Sequence, residues 1–342
     1  MGSSAAIERI GIVGGGAWGT ALALTARRAG RAVALWAREA EVVATINRDH
    51  LNPLFLPDVP LDPAIRATLD LGEVAAADAL LLVAPAQHLR ALATALARHL
   101  PASMPVVICT KGIEEKSGAL MSEIAAASLP GAAIAVLSGP TFAGEVARGL
   151  PTAVTLAAAD AALGQRLIAA LGTRSFRPYL SDDTLGAEVG GAVKNVLAIA
   201  CGIVTGRKLG DNARAALITR GLAEMVRLAL AKGGRAETLM GLSGLGDLVL
   251  TCTGPQSRNH SLGVALGEGR ALSDILAERR SVAEGVTSAA AAAALARRLG
   301  VDMPITAAVD AILHRGAAVD QAIAALLARP FKSEGAPGSP RA

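Results

Sequence analysis

A glycine-rich turn near the N-terminus constrains the fold of this chain more than any other feature. Residues 14–19 read GGGAWG, which fits the pattern GxGxxG, and they follow the apolar run Ile10–Val13 and precede helix-forming residues. In that context Gly14 permits a tight turn, Gly16 lets a pyrophosphate approach the backbone, and Gly19 lets the helix pack on the strand. An ordinary glycine-rich turn could match the GxGxxG pattern by chance. With a strand before it and a helix after it, the pattern predicts a dinucleotide site.

The rest of the chain falls into two parts with different periodicity. Over the first 180 residues, short apolar runs alternate with alanine-rich helical runs, which is the pattern of a parallel sheet covered on both faces. Near Asp182 the strand signals stop, and helix-forming sequence continues to Arg329. We therefore predict an α/β fold: a Rossmann-type doubly wound sheet in residues 1–181, an all-α domain in 182–331, and a disordered tail in 332–342. The predicted strands are Arg9–Val13, Ala32–Trp36, Ala79–Ala84, Val106–Thr110, Ile134–Ser138 and Ala153–Leu156.

Composition excludes several classes of function. The 342 residues are 52% hydrophobic and 18% charged, which predicts globular domains rather than disorder. A net charge of +4 and only seven aromatic residues give neither the basic stripe nor the stacking surface of a nucleic-acid binder. The most apolar stretch, 189–206, carries Lys194 and Asn195 near its middle, so we predict a buried helix and no stable membrane insertion. The three cysteines of the chain lie far apart in the sequence, which predicts no metal site and a reducing, cytoplasmic setting.

Arg38 and Glu39 follow the second predicted strand, where Rossmann domains recognise the ribose of the cofactor. An acidic side chain there binds the 2′-hydroxyl of NAD, whereas a guanidinium suits the 2′-phosphate of NADP. Arg38 comes first, which favours NADPH. Glu39 could be the displaced acid or only a helix-start acid, so NADH stays open as the alternative.

Lys194 is the strongest candidate for proton transfer. It lies within a nearly continuous apolar helix, and the chain has only six lysines against 27 arginines. Burial of an ammonium group favours its neutral form, which brings the group toward the range useful for general acid–base catalysis. The alternative is a structural lysine whose amine reaches the surface.

Three further clusters of polar residues interrupt apolar sequence. Lys111 follows one predicted strand, and the run 138–143 (SGPTFA) follows the next, at the sheet edge where open α/β folds bind ligands. A glycine-rich loop at 241–246 is expected to place Asp247 and Thr251 on one helix face, four residues apart. Ser257, Arg258 and Asn259 open a helix and suit a phosphomonoester. Each cluster has a plainer alternative: a solvated lysine, an Asp247 that caps its helix, and an ordinary capped helix start.

The chain resembles the bacterial NAD(P)-dependent glycerol-3-phosphate dehydrogenases along nearly its whole length. The resemblance implies a Rossmann domain plus a helical domain that interconverts glycerone phosphate and sn-glycerol 3-phosphate for phospholipid synthesis, usually as a homodimer. The motifs that carry it are GGGAWGTALAL at Gly14, NPLFLPDV at Asn52, CTKGIE at Cys109, SGPTFAGEV at Ser138, GGAVKNVLAIA at Gly190, GLSGLGDLVLTC at Gly241, SRNHSLG at Ser257 and VAEGVTS at Val282.

The resemblance also implies a role for individual residues. Lys194 would be the proton acceptor or donor, Asp247 would orient it, and Lys111 would bind both cofactor and substrate. The other implied substrate contacts are Gly139, Thr141, Thr251, Ser257, Arg258 and Asn259. The implied cofactor contacts are Gly14, Gly16, Ala17, Trp18, Gly19, Arg38, Lys111, Ala143, Arg258, Val282 and Glu284.

Two positions depart from the family's usual residues. Ala17 stands where serine is common, and Gln87 lies in a Pro-Ala-Gln-His run that replaces Pro-Ser-His. Each change removes a hydroxyl that could bond the cofactor. The same two-domain layout also serves reductases of hydroxy acids and hydroxyacyl thioesters, which is the alternative function. A dinucleotide sensor without catalysis would need neither Lys194 nor Asp247.

Overall fold

The structure is a computed structural model that describes residues 6–278 and 283–331. The predicted disordered tail, 332–342, lies outside the described residues. Contacts divide the described chain into two compact units. The first comprises residues 6–111 and 119–188, and the second comprises 112–118, 189–278 and 283–331. The domain boundary that the sequence suggests at residue 181 stays a prediction.

The first unit is built on one eight-stranded sheet. Its strands are β1 (Arg9–Val13), β2 (Ala32–Trp36), β3 (Ile65–Thr68), β4 (Ala79–Leu82), β5 (Pro105–Ile108), β6 (Ala133–Ser138), β7 (Thr152–Ala158) and β8 (Phe176–Ser181). They lie in the order β3-β2-β1-β4-β5-β6-β7-β8. The first six strands follow the Rossmann order. The chain adds β2 and β3 on one side of β1 and then crosses to the other side, where β4, β5 and β6 follow. The predicted fold class is confirmed.

The sheet differs from the predicted one in two ways. We did not predict β3 and β8, because β3 has only four residues and β8 carries Pro178 on a largely exposed edge strand. The expectation of a parallel sheet is wrong for β7, which runs antiparallel to β6. A parallel return must travel the length of a strand, roughly 20 Å for six residues. The helix in this link, Ala143–Ala147, spans only about 7.5 Å, so it does not cover that length by itself.

Alternate strand residues fill the two faces of the sheet. In β4, Leu81 packs in one core with Ile12 of β1, while Leu80 and Leu82 pack in the core on the opposite face. This period-2 division follows from the pleat of a strand with helices on both sides. The helices of this unit are α1 (Ala17–Arg28), α2 (Ala40–Asp49), α3 (Leu71–Ala75), α4 (Leu89–Ala97), α5 (Met121–Ser128), α6 (Ala143–Ala147) and α7 (Ala161–Leu171).

From residue 189 onward, the described residues of the second unit form helices joined by turns and loops and contain no strand, as predicted. The long apolar helix α8 (Thr184–Gly206) supplies its core from residue 189 onward. By length and composition α8 could cross a membrane, but 89% of its most apolar window is buried, which is typical of a core helix. The other helices are α9 (Asp211–Ala231), α10 (Ala236–Leu239), α11 (Asp247–Thr253), α12 (Arg258–Gly267), α13 (Leu272–Ala277), α14 (Glu284–Leu299), α15 (Pro304–His314) and α16 (Val319–Leu327).

Candidate active site

The glycine-rich turn has the backbone geometry that the sequence predicts. Gly14 has φ of 133°, a region that favours glycine, and its N–H donates to the carbonyl of Trp36 at 3.0 Å. A Cβ added to Gly19 would lie 1.8 Å from the Gly14 carbonyl oxygen, so only glycine lets α1 pack this closely. At Gly16 an added Cβ would meet no atom within 4 Å. The turn is therefore tight on one side and open on the other.

The open side of the turn fits the phosphates of a dinucleotide. Gly16 is the N-cap of α1 and Ala17 is its first residue, and no side chain caps this helix start. Backbone N–H groups at an uncapped helix N-terminus bind anions through their hydrogen bonds and the helix dipole. Nearby, the buried indole Nε1 of Trp18 has no hydrogen-bond partner among the described residues, and the same holds for Oγ of Ser138. Buried polar atoms rarely stay unpaired, so both atoms are available for a hydrogen bond to a ligand.

Lys111, Gly139 and Thr141 come together at the carboxyl ends of β5 and β6. The Gly139 carbonyl accepts hydrogen bonds from Nζ of Lys111 at 3.1 Å and from Oγ1 of Thr141 at 3.2 Å. These three residues line one crevice together with Trp18 and Ser138. The structure thus brings Trp18 together with Lys111, Gly139 and Thr141 at the sheet edge where doubly wound folds bind ligands.

The remaining residues predicted to contact the cofactor in this unit lie on element ends. Arg38 is exposed, and its Nη2 lies 2.8 Å from Oε1 of Glu39, which is the N-cap of α2. The guanidinium that suits NADP and the carboxylate that suits NAD therefore lie side by side just beyond β2. Ala143 is the first residue of α6. Gln87, which departs from the family's usual residue and is not among the predicted contacts, lies in a 3₁₀ turn that precedes α4.

Lys194 is buried and fully engaged with two side chains. Its Nζ donates to Oδ1 of Asp247 at 2.5 Å and to Oγ1 of Thr251 at 3.1 Å. The lysine is 6% exposed and Asp247 is 0% exposed, so the amine does not reach the surface as a structural lysine would. Thr251 in turn donates from Oγ1 to the backbone carbonyl of Asp247 at 2.6 Å. An ammonium between a carboxylate and a hydroxyl is equipped to hold and exchange one proton.

Close backbone packing brings Lys194 and Asp247 together. A Cβ added to Gly190, one helical turn before Lys194, would lie 2.2 Å from the carbonyl oxygen of Ser243. Ser243 in turn precedes Asp247 by four residues. Because residues four apart share a helix face, the Gly190–Ser243 contact aligns the following pair. The expected glycine loop is wrong in its form: Leu242–Gly246 is a π-helical turn that leads directly into α11.

The start of α12 holds the predicted phosphate residues in different environments. Ser257 is the N-cap and its Oγ accepts from the N–H of His260 at 3.2 Å, so it does cap the helix. Arg258 is the exposed first residue. Asn259 is buried: its Nδ2 donates to Oδ1 of Asn195 at 3.0 Å, and its Oδ1 accepts from the N–H of Gly285 at 3.0 Å.

Of the two residues predicted near the start of α14, Glu284 is the half-buried first residue of that helix. Val282 lies outside the described residues.

Three residues that help to build these sites have no predicted role: Asn195, Asn52 and Ser138. Asn195 follows Lys194 directly, and its Oδ1 accepts a hydrogen bond from Asn259. A second polar residue beside Lys194 in an apolar helix was the sequence signal for such a role. Asn52 is fully buried and bonds to Gly15, and its place in the NPLFLPDV motif was the available signal. Ser138 opens the SGPTFA run. Among residues 6–278 and 283–331, no cluster of three or more His, Cys, Asp or Glu side chains could hold a metal ion.

Comparison with known proteins identifies the family. Residues 9–164 match the model of the N-terminus of NAD-dependent glycerol-3-phosphate dehydrogenase, and residues 183–324 match the model of its C-terminus. The chain is 62% identical over 330 residues to the NAD(P)+ glycerol-3-phosphate dehydrogenase of Rhodospirillum rubrum, which covers 96% of this chain and 95% of that protein. The enzyme of the same name from Paramagnetospirillum magneticum is 71% identical over 255 residues, covering 75% and 93% of the two chains.

A solved structure agrees with these matches. The crystal structure of glycerol-3-phosphate dehydrogenase from Coxiella burnetii superposes with a TM-score of 0.91 at 42% identity, covering 94% of this chain and 99% of that one. Matches to both halves of the chain, in the same order and at this identity, leave the assignment unambiguous. The chain therefore belongs to the family of NAD(P)-dependent glycerol-3-phosphate dehydrogenases.

Proposed function

We propose that this protein reduces glycerone phosphate to sn-glycerol 3-phosphate and that Lys194 transfers the proton. The observation that carries the proposal is the buried contact of Lys194 with Asp247 and Thr251, in a chain of this family. A dinucleotide sensor would have no use for a buried ammonium held in this way. Burying a charge is costly unless it is paired, so an ion pair in the core of a helical unit points to a chemical use.

Proton transfer at the substrate oxygen is the step that this chain performs. A nicotinamide cofactor, when bound at the glycine-rich turn, would supply the hydride for C2 in the reducing direction and take it up in the reverse direction. Lys194 donates a proton from Nζ to the oxygen on C2 as negative charge develops there, and the neutral amine takes the proton back in the reverse reaction. Asp247 stabilises the ammonium form and orients Nζ, while Thr251 fixes the second donor direction.

Binding of the substrate involves two groups of residues. Lys111 and Thr141 are held on the Gly139 carbonyl, which places an ammonium and a hydroxyl together for an anionic, hydroxylated substrate. Arg258 would bind the phosphate with a charge-assisted hydrogen bond, aided by the N-terminus of α12. Ser257 and Asn259 support this helix start through the bonds described above.

The dinucleotide is bound at the glycine-rich turn in this proposal. Gly14, Gly16 and Gly19 shape the turn, and the N-terminus of α1 faces the pyrophosphate. Arg38 lies just beyond β2, where it favours NADPH, and its neighbour Glu39 leaves NADH as a usable cofactor. The other proposed cofactor contacts are Ala17, Trp18, Lys111, Ala143, Arg258, Val282 and Glu284.

Three wider properties are proposed from the family. The product would supply glycerophospholipid synthesis, the enzyme would be a homodimer, and it would act in the cytoplasm. The small net charge of +4 and the scarcity of aromatic residues support a small anionic substrate rather than a nucleic acid.

Initial rates test the proposed function. Oxidation of NADPH and of NADH should be followed separately with glycerone phosphate, and again with unphosphorylated dihydroxyacetone and a 2-oxo acid. We expect turnover only with the phosphorylated substrate and a higher kcat/KM with NADPH. Preferred turnover of a 2-oxo acid or an acyl thioester would instead identify one of the other two-domain reductases. Nucleotide binding without turnover of any of these substrates would identify a sensor.

A further inference from the structure

The loop after α2 contributes a buried amide to the glycine-rich turn. Asn52 is fully buried, and its Nδ2 donates to the carbonyl oxygen of Gly15 at 2.9 Å and to Oγ1 of Thr20 at 2.8 Å. Oγ1 of Thr20 itself donates to the same Gly15 oxygen at 3.4 Å. The Gly15 carbonyl is therefore held by two side chains, one from the loop and one from α1.

Asn52 is fixed in turn by its own loop. Its Oδ1 accepts from the N–H of Phe55 at 3.4 Å, and its backbone carbonyl accepts from the N–H of Leu56 at 2.8 Å. The ends of the loop are joined where the N–H of Leu61 donates to the carbonyl of His50 at 2.9 Å. Because both ends of the amide have partners, the side chain cannot turn away from Gly15 without breaking the loop.

The bond to Gly15 also sets the direction of the next N–H group. A trans peptide is planar, so the Gly15 carbonyl and the Gly16 N–H point in opposite directions. Holding the carbonyl toward Asn52 turns the Gly16 N–H toward the opposite side. Glycine has little intrinsic preference among backbone conformations, so the two glycines alone would not keep this peptide from rotating.

We propose that Asn52 is a positioning residue for the cofactor: it locks the Gly15–Gly16 peptide with the Gly16 N–H facing the bound pyrophosphate. The inference rests on the proposed function, because it takes the turn to be the nucleotide site. Asn52 touches the carbonyl rather than the cofactor, so its effect is on affinity. When the N–H donor is already oriented, binding of the cofactor does not incur the entropy cost of ordering that donor.

Asn52→Asp and Asn52→Ala test the proposal, with Asn47→Asp as the matched control. The aspartate has the same shape as asparagine but cannot donate to Gly15. Asn47 lies on α2 and makes bonds of the same kind, donating to the carbonyl of Ala67 and accepting from its N–H, both at 2.9 Å. Those bonds hold β3 rather than the glycine-rich turn, so the control loses one donor without touching Gly15.

NADPH affinity is measured by fluorescence titration, alongside kinetics and thermal unfolding of each variant. We expect both Asn52 variants to raise the Kd and KM for NADPH about tenfold, the effect of losing one to two hydrogen bonds. The kcat at saturating NADPH and the KM for glycerone phosphate should stay within about twofold. Asn47→Asp should lower the unfolding temperature by a similar amount and bind NADPH as the wild type does.

Two results would overturn the inference. One is an unchanged Kd in both Asn52 variants at a temperature where they are folded. The other is an equal loss of affinity in Asn47→Asp, which would assign the effect to general destabilisation. Wild-type protein that binds neither NADPH nor NADH would contradict the proposed function itself. The titration distinguishes this result from the other two, because those two concern the variants and this one concerns the wild type.

Discussion

Nζ of Lys194 lies 2.5 Å from Oδ1 of Asp247, and both side chains are buried in the helical unit. The two residues are 53 positions apart in the chain and meet because α8 and the π-helical turn before α11 pack backbone to backbone. A charge-assisted hydrogen bond in such surroundings is stronger than one in water. The pair therefore holds a proton in a fixed place.

Removal of the lysine amine should abolish most of the catalysis. Lys194→Met should lower kcat by about 10²- to 10⁴-fold, the contribution expected of a general acid or base, while the Kd for NADPH stays near that of the wild type. Steady-state kinetics with glycerone phosphate and a nucleotide titration measure the two effects. Lys208→Met makes the same change at an exposed lysine of the same unit and should leave kcat unchanged. Wild-type turnover by Lys194→Met would remove the lysine from the mechanism.

The same substitution should destabilise the protein, and a second substitution should partly restore it. Without Lys194, the carboxylate of Asp247 is buried and has lost its ammonium partner, which costs on the order of 3–5 kcal/mol. Asp247→Asn in the same chain removes that charge, so the double variant should unfold at a higher temperature than Lys194→Met alone. Differential scanning calorimetry measures the difference. Equal unfolding temperatures would mean that the charge on Asp247 is not destabilising once its ammonium partner is gone.

The hydroxyl of Thr251 should contribute to the rate through Lys194. Thr251→Val removes the oxygen that accepts from Nζ, and we expect kcat to fall about tenfold for the loss of one hydrogen bond to a charged group. Thr251→Ser keeps the hydroxyl and should retain kcat within about twofold. If valine and serine had the same effect, the methyl group rather than the hydroxyl would be the important part of the side chain.

Arg258 should act on substrate affinity. Arg258→Ala removes the proposed partner of the phosphate and should raise the KM for glycerone phosphate by the equivalent of about 1.5–3 kcal/mol, with a smaller effect on kcat. The matched control is Arg220→Ala, at an exposed arginine of α9 in the same unit. An unchanged KM in Arg258→Ala would place the phosphate site elsewhere.

A buried carboxyl in α9 should make stability depend on pH. Burial raises the pKa of Glu224, although hydrogen bonds from the N–H of Ile305 and from Thr306 oppose the shift. The folded state therefore binds this proton more tightly than the unfolded chain does. This contribution to stability is fully present below about pH 4.3, the ordinary pKa, and it is lost as pH rises through the raised pKa.

Glu224→Gln removes the titrating group and tests this pH dependence. Between about pH 4.3 and the raised pKa, the free energy of unfolding should fall with pH more steeply in the wild type than in the variant. Chemical denaturation across that range measures the slopes. Glutamine also places an NH₂ group where N–H donors converge, so the variant should be less stable overall. Parallel slopes would contradict the assignment of a raised pKa to Glu224.

The sequence predicted those features that depend on local pattern. Residues 14–19 identified the dinucleotide turn because a strand and a helix adjoin them in the chain, and β1 and β2 were predicted with their observed bounds. Lys194 stood out because a charge in a long apolar helix needs a partner. Strand β3 was missed because four residues with one arginine among them carry too little periodicity to be distinguished from a loop.

Only the tertiary structure decided which distant residues meet. That Asp247 and Thr251 pair with Lys194, that Asn259 bonds to Asn195, and that Asn52 holds the Gly15 carbonyl all depend on helices and loops far apart in the chain. The reversed direction of β7 belongs to the same class, since it appears only in the pairing of β7 with β6. Periodicity and turn chemistry act over a few residues, whereas these contacts form only when whole elements pack together. Local pattern therefore predicted most of the elements and the candidate residues, and only the family resemblance paired Asp247 with Lys194 before the structure did.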